Sequence, residues 1–598
     1  MTFISCLFLA LPLLLVMLFK NKYVGFATVL SAMVLGHTGI AFITQVLHVF
    51  TPSVVIAVHA LIAIAVLMVM YKKRSSISFV PLRDMVLVQT LCIVFALGIV
   101  AYQLYAVHFD YTGPVSTISG EMYVSGDSYA YPLFSDEWIA VAVSRTVIAE
   151  NALPLTHPFT GAPYQNYLVA FHALVAEIGI LFSSPITTTY VWLGIVINTA
   201  LVGMCFVVLR SLGVHRGVAV LGMLLVPYVV NGSNLPMLWY LLPWNVGFLV
   251  LLSTMVFVIH KQVWLALAAA FLSALLYPPI IVFSIPMLLT MCVGYESKIR
   301  NRILVSLGVF VLTAPIFFMG AVSIFTTYSF SEVSARFIEI LIRPMFSSFG
   351  SVPTFFIWDV VPWVLLPFVV YAFWKYTQSI FFILVPVVIG LVGWVLNPIT
   401  DTTFLIDYHR LVAMTALLLV IVGTLGVQGV WQYLVSRYNA LRSNEIQAAL
   451  SGVILIVFLI LAPLYTTHDT WRKFTVPYRD QAGNTLQGKP ASPVSRYLHP
   501  DDVRIFSALS GERFLAPSWK GLVIASITDN EPMYTKPSTI TIRKVIYEDF
   551  SVATCEQKMA MVRAHRVSYI YAEKINCAGF EVIDQSAEGL YLSRVASS

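Results

Sequence analysis

Charge is scarce in this chain. Only 11% of its 598 residues are Asp, Glu, Lys or Arg, against about 25% in an ordinary soluble domain. With 59% hydrophobic residues and a mean hydropathy of +0.85, a soluble globular protein is excluded. The net charge of +6 does not point to nucleic acid, because no stripe of Arg and Lys interleaved with aromatics is present. Cysteine is also sparse, with six in all. Cys6, Cys92, Cys205 and Cys292 lie in apolar runs and read as packing residues. Cys555 and Cys577 lie in the polar C-terminal region, where a disulfide is open. No CxxC or His/Cys zinc pattern occurs, nor a P-loop, a dinucleotide fingerprint or GxSxG.

What is abundant is long apolar sequence. A membrane-crossing helix needs about 20 apolar residues to span ~30 Å of hydrocarbon. Fourteen runs qualify or come near: 1–19, 23–50, 52–71, 84–108, 186–209, 217–230, 246–260, 263–277, 279–295, 303–328, 353–374, 379–396, 411–433 and 447–465. The first has no basic n-region and no small-residue cleavage site, so it reads as a retained helix. The pair 263–277 and 279–295 is split by Tyr277-Pro278-Pro279, which should break the helix.

The segment 164–182 is a fifteenth apolar run, and charge decides how it lies. If it does not cross, fifteen Lys and Arg face one side and four (Arg145, Arg336, Arg343 and Arg410) face the other; if it crosses, the split is nine to ten. The first arrangement is expected. It makes 164–182 interfacial or re-entrant, and puts the loop 109–185 and the C-terminal region outside. A prokaryotic plasma (inner) membrane, crossed many times, fits this pattern and the lack of a eukaryotic retention signal. The expected division is a transmembrane domain over 1–465, a linker over 466–500 and a small extracytoplasmic α/β domain over 501–598. In the last, Cys555–His565 reads as a helix and 567–571 and 589–594 as strands.

The most informative residues are the acidic pair Asp136-Glu137, in SDEW at 135–138. They follow a polar loop carrying Asp110, Glu121 and Asp127, and open the stretch DEWIAVAVSRTVIAEN, which suits a helix lying on a membrane. Asp136 or Ser135 can equally be an N-cap, with Glu137 complementing the helix dipole. Downstream, 156–174 supplies His157, Tyr164, Tyr167 and His172, in a region where tyrosines also gather simply as an interfacial belt. Two further outer stretches carry charge. Glu332, Arg336, Glu339 and Arg343 share one helical face by spacing. NPITDTTFLIDYHR at 397–410 sets Asp401, Asp407, His409 and Arg410 at the mouth of the next span. Arg410 there either snorkels or holds a phosphate by paired hydrogen bonds. Within the spans charge is almost absent, Asp359 being the main exception. That disfavours an ion-coupled transporter, which needs ionisable groups near the midplane.

The arrangement resembles the GT-C superfamily of polytopic glycosyltransferases. The resemblance rests on SDEW at 135–138 in a large first outer loop, the helical stretch after it, PYQNYLVAFHAL at 163–174, and a C-terminal region containing FLAPSWKGL at 514–522. It implies a polytopic α-helical fold and transfer of a hexosyl or pentosyl group from a polyprenyl-phosphate donor to a hydroxyl of a glycan or lipid-linked acceptor. Transfer would take place outside the membrane, with inversion. Asp136 would be the general base, and Glu137 would position the acceptor or assist a metal. Arg410, or Arg343, would steady the phosphate. Asp127, Tyr164, Tyr167, His172 and His409 complete the candidate substrate-binding set. No WWDYG motif and no DxD in the outer loops is present, which argues against N-glycan transfer to protein. No cofactor is required with certainty; a divalent metal, Mg or Mn, is the candidate. The expected partners are the sugar donor, the acceptor and membrane lipids, and no nucleic acid. Two competing readings are a transporter or flippase of a lipid-linked saccharide and a non-catalytic cell-envelope assembly protein.

Overall fold

The structure is a computed structural model. It describes residues 2–74, 84–117, 120–151, 169–229, 238–294, 299–313, 342–344, 360–400, 402–438, 497–533 and 546–596, with a few isolated residues between 446 and 486. Tyr164, Tyr167, His157, Asp359, Asp401, most of 329–352 and most of the run 447–465 lie outside these residues.

The apolar runs fold as helices. They are α1 (Thr2–Ala10), α2 (Lys22–Val46), α3 (Pro52–Lys72), α4 (Asp84–Phe109), α5 (Ser135–Glu150), α6 (Val169–Phe182), α7 (Ile186–Ser211), α8 (Arg216–Leu225), α9 (Pro243–Ile259), α10 (Val263–Leu276), α11 (Ile281–Gly294) and α12 (Ile299–Leu312), followed by Val360–Thr400 and Tyr408–Arg437. Six helices among the described residues are long and apolar enough to cross a membrane: α2, α3, most of α4, α7, Val364–Asn397 and Arg410–Arg437. The expected pair 353–374 and 379–396 is described from Val360 as one element, bent where Ile380 leaves helical geometry. The helix break expected at Tyr277-Pro278-Pro279 is present, with a short 3-10 turn at Pro278–Ile280 between α10 and α11.

Val360–Thr400 packs along Tyr408–Arg437. Their backbones come close because Gly426 has no side chain: a Cβ there would run into the Phe368 carbonyl. Small residues permit such approaches in membranes, where close packing replaces the hydrophobic drive between helices.

Helix α6 does not lie on a surface, and α5 is buried over much of its length. Twelve consecutive α6 residues, Ala170–Leu181, are buried, among α2, α3, α5 and α7. A segment wrapped on every face cannot keep one face in water, so the interfacial option for the described stretch of 164–182 falls. At 14 residues it is about 21 Å long, short of ~30 Å of hydrocarbon. Similarly, α5 is sandwiched between α6 and the C-terminal helix Ser518–Ile527, with Trp138, Val141, Val143 and Val147 fully buried.

Between α4 and α5, where a plain polar loop is expected, an antiparallel hairpin forms from β1 (Tyr111–Thr117) and β2 (Gly120–Asp127). Its Tyr, Thr and Val residues favour strands, and Tyr111 and Val115 point into the core.

The C-terminal region contains a five-stranded sheet in the order Phe580–Gln585, Tyr591–Val595, Tyr569–Ala572, Arg513–Leu515, Glu531–Pro532. The first three strands are antiparallel and the last two pairings parallel. Helix Ser518–Ile527 makes the crossover between the two parallel strands Arg513–Leu515 and Glu531–Pro532. Cys555 and Cys577 are joined by a disulfide, with Cα atoms 5.5 Å apart. Behind the sheet, Lys520 is fully buried between Asp502, at 2.5 Å, and Glu588. Tyr571 donates to the other Asp502 oxygen at 2.8 Å.

Two variants test this packing. Gly426→Ala should cost about 1–3 kcal/mol by overpacking, read as a lower thermal midpoint in detergent. Lys520→Met leaves buried carboxylates without their cation and should cost about 3–5 kcal/mol. Limited proteolysis should then cut the tail several-fold faster, and an unchanged rate would mean the network is not supporting it.

Candidate active site

The site is built on the first turn of α5. Its N-cap is Phe134, which has no side-chain acceptor to offer, and the N–H groups of the chain entering the helix need another partner. Glu137, at the third helical position, supplies it: Oε2 accepts from the backbone N–H of Leu133 at 2.9 Å and of Phe134 at 3.0 Å. Its other oxygen, Oε1, accepts from the N–H of Leu241 at 2.8 Å. Neither Ser135 nor Asp136 is the cap. Glu137 is 2% exposed, and these three bonds are all to backbone donors. Burial pushes its carboxyl up to about 8, while the three N–H donors pull the other way and the neighbouring Asp136 charge adds to the rise.

Leu241 belongs to a short irregular segment, 238–242, that leads into α9. It is fixed by buried polar side chains. Asn198 of α7 donates to the carbonyls of Leu238 and Tyr240 at 2.9 and 3.1 Å. Tyr190 donates to the Leu241 carbonyl. Asn245 caps α9 by accepting from Leu242 N–H at 2.9 Å and donates to Asn198 at 2.9 Å. None of these residues stands out in the sequence. Asn198 inside an apolar run, and Pro243 with Asn245 two residues on, are the available signals.

With Glu137 turned inward, Asp136 points the other way and meets Arg410. The guanidinium donates to Asp136 Oδ2 at 3.1 Å and also pairs with Asp407 Oδ2 at 3.1 Å. Asp136 is the open side of this cluster, its side chain 32% exposed against 13% for Arg410. The Tyr277 ring, delivered by the break between α10 and α11, lies 5.9 Å from the guanidinium carbon. The arrangement joins a carboxylate able to take a proton to a guanidinium able to hold an anion, partly shielded from water.

The other sequence candidates are spread out. Asp127 pairs by backbone with Tyr111 at the end of β2. His172 is buried in α6, where its carbonyl accepts from Ser144 at 3.3 Å. Arg343 sits on a two-stranded ribbon opposite Thr403, a few residues before Asp407. His409 is in the first turn of Tyr408–Arg437.

The C-terminal region closes over α5. Ser526 donates to the Trp138 carbonyl at 3.1 Å. Arg145 donates to the Ala525 carbonyl at 3.2 Å and to Thr528 and Asp529. Tyr129 accepts from Leu498 N–H at 2.8 Å and stacks on Tyr497 at 4.9 Å.

The acidic pair does not suit a divalent metal. Mg and Mn prefer several free oxygen ligands, whereas the Glu137 oxygens accept from amides and Asp136 pairs with Arg410. Among the described residues, one group of His, Cys, Asp or Glu comes close enough to hold an ion. It lies elsewhere, at His37, His59 and Glu177.

No family model and no curated protein matches the chain. Among solved structures it is similar to the oligosaccharyltransferase AglB from Archaeoglobus fulgidus in complex with an inhibitory peptide and a dolichol-phosphate. That likeness has 12% identity and a TM-score of 0.47, over 80% of this chain and 69% of that one. The Archaeoglobus fulgidus oligosaccharyltransferase in complex with Zn and sulfate is similar at 12% identity and TM-score 0.45, over 84% and 73%. The arabinofuranosyltransferase AftD from Mycobacteria is similar at 12% and 0.46, over 84% of this chain and 41% of that chain. At such scores no residue role carries across.

Glu137 gives a stability signature. Its folded value lies above the unfolded one of about 4.5, so the folded state holds the extra proton between the two. Stability is then greatest at acid pH and falls as pH rises through about 8. The thermal midpoint of the wild type should decline from pH ~5 to pH ~8.5, and this slope should vanish in Glu137→Gln. The same slope in the variant would show that another group causes it.

Proposed function

We propose that this chain is a membrane glycosyltransferase moving a sugar from a polyprenyl-phosphate donor to a hydroxyl acceptor outside a prokaryotic plasma membrane. The observation that carries the reading is the Asp136–Arg410 pair at 3.1 Å. In such a transfer one group must take the acceptor's proton as the hydroxyl attacks the anomeric carbon, and another must receive charge on the departing phosphate. A base must be within hydrogen-bond reach of the proton it removes, which the exposed Asp136 oxygens allow. A guanidinium suits the phosphate oxygens by its planar, paired donors, and stabilising the charge that builds there lowers the barrier. The acceptor hydroxyl attacks opposite the leaving phosphate, so the anomeric centre inverts. The proton passes to Asp136 and the C–O bond to the phosphate breaks.

In this reading Glu137 does not touch substrate. It positions Asp136 by anchoring the helix start to segment 238–242. Tyr277 and Asp407 orient Arg410. Asp127, Arg343 and His409, with Tyr164 and Tyr167, remain the proposed lining of the sugar and acceptor sites, while His172, buried inside α6, would act only through its packing. The disulfide Cys555–Cys577 supports an oxidising, extracytoplasmic setting for the tail. The small domain 501–598 and the linker 466–500 are the proposed units of the C-terminal region.

The test is transfer or release of sugar from a panel of polyprenyl-phosphate sugars by purified protein. Asp136→Asn should lower turnover by ~10²–10⁴-fold or more while the protein stays folded. Arg410→Ala should weaken donor binding more than acceptor binding. Full activity in Asp136→Asn removes it as the base. A second reading, transport of a lipid-linked saccharide, is favoured by the buried ionisable group at His37, His59 and Glu177. It predicts movement of the intact lipid with no bond broken.

A further inference from the structure

Glu177 is a single acid inside α6, with no exposed surface. Ionisable groups among membrane helices are costly and need partners. Its two oxygens each meet a histidine from a different helix. His37 Nδ1 of α2 lies 2.9 Å from Oε2, and His59 Nε2 of α3 contacts Oε1. The two rings are 4.9 Å apart, tilted by 32°, and Phe8 stacks on the outer face of His59 at 6.2 Å. All three residues are buried, and one ligand atom from each lies within 4.8 Å of the others. His37 is nine residues from the end of α2 and His59 seven from the start of α3, which puts both about 10–14 Å along their helices from the α2–α3 connection.

We propose that His37, His59 and Glu177 form a binding site for a divalent transition metal of the zinc type. Two imidazole nitrogens and one carboxylate oxygen are a donor set that such ions take, with a fourth position left for water. Nitrogen-rich sites favour zinc, cobalt, nickel or copper over Mg or Ca. Ligand atoms around a tetrahedral zinc stand roughly 3.3 Å apart, given bonds of ~2.0–2.2 Å, so modest side-chain rotation converts the present cluster into a coordination shell. A neutral imidazole binds the ion through its unprotonated nitrogen, so the ring proton of each histidine then sits on the nitrogen turned away from the ion. The ion also supplies the cation that a buried carboxylate requires: among the described residues Glu177 has ion pairs to these two histidines and to no Lys or Arg. One ion would pin α2, α3 and α6 together. Asn151 ties the same region to α5: it ends that helix in left-handed geometry, accepts from Phe50 N–H at 2.8 Å and donates to the His48 carbonyl at 2.8 Å. The site is separate from the Asp136–Arg410 pair and stands whether or not the chain transfers sugar.

The test uses untagged full-length protein in detergent, stripped with chelator and titrated with Co²⁺. The wild type should bind one equivalent with the visible absorption of a four-coordinate ion, and equimolar Zn²⁺ should displace it. Binding should fall at least 10-fold in Glu177→Gln and in His59→Asn. Zinc loading should also raise the thermal midpoint over the stripped protein. A folded wild type that develops no Co²⁺ band overturns the proposal, and so does a band that persists at full strength in both variants. Should the variants fail to fold, the wild-type stoichiometry, the spectrum and the displacement by Zn²⁺ decide it alone.

Discussion

Three backbone N–H groups converging on one buried carboxylate hold the site together. Glu137 closes the first turn of α5 and, in the same side chain, fastens that turn to segment 238–242, more than a hundred residues away. A carboxyl group removed from water needs such partners, since a buried polar group left unpaired is costly to a fold. With this joint made, the next residue back must point outward, and Asp136 reaches Arg410. The division of labour between two adjacent acids is therefore geometric. Successive residues on a helix face different ways, so one can serve as an anchor only if the other is left for chemistry.

The opposite wall of the site has a comparable origin. Tyr277-Pro278-Pro279 cannot continue α10, because proline lacks the donor and clashes with the preceding turn. The break puts Tyr277 beside the guanidinium. Arg410 begins a helix whose glycine-bearing face presses on Val360–Thr400. Close packing of that pair limits how far Arg410 can shift.

Much of the helical frame is legible in the sequence because apolar length alone specifies it, as at Lys22–Val46, Pro52–Lys72 and Ile186–Ser211. The strand at Tyr569–Ala572 and the proline break are legible for local reasons. The acidic pair stands out by contrast with its surroundings. The partner of Glu137 is not legible, since the Leu241 N–H is a backbone group present at almost every residue. Nor is the burial of α5, whose outer face is covered by a helix nearly four hundred residues later. The isolated Glu177 is visible as the one acid in its apolar run. Its meaning depends on His37 and His59, from helices that only the fold brings to it.

Helix Ser518–Ile527 carries a consequence for how the chain can be divided. Leu522 and Val523 belong to the large core of the membrane helices, whereas Ile524 belongs to the core of the C-terminal sheet. A single crossover helix thus supplies hydrophobic contacts to two cores at once. Polypeptide cut out from about residue 500 onward would present that membrane-facing side to water as an exposed apolar patch, the kind of surface that drives association. Loosening the tail would likewise uncover α5. The last hundred residues are in this sense a wall of the membrane helices.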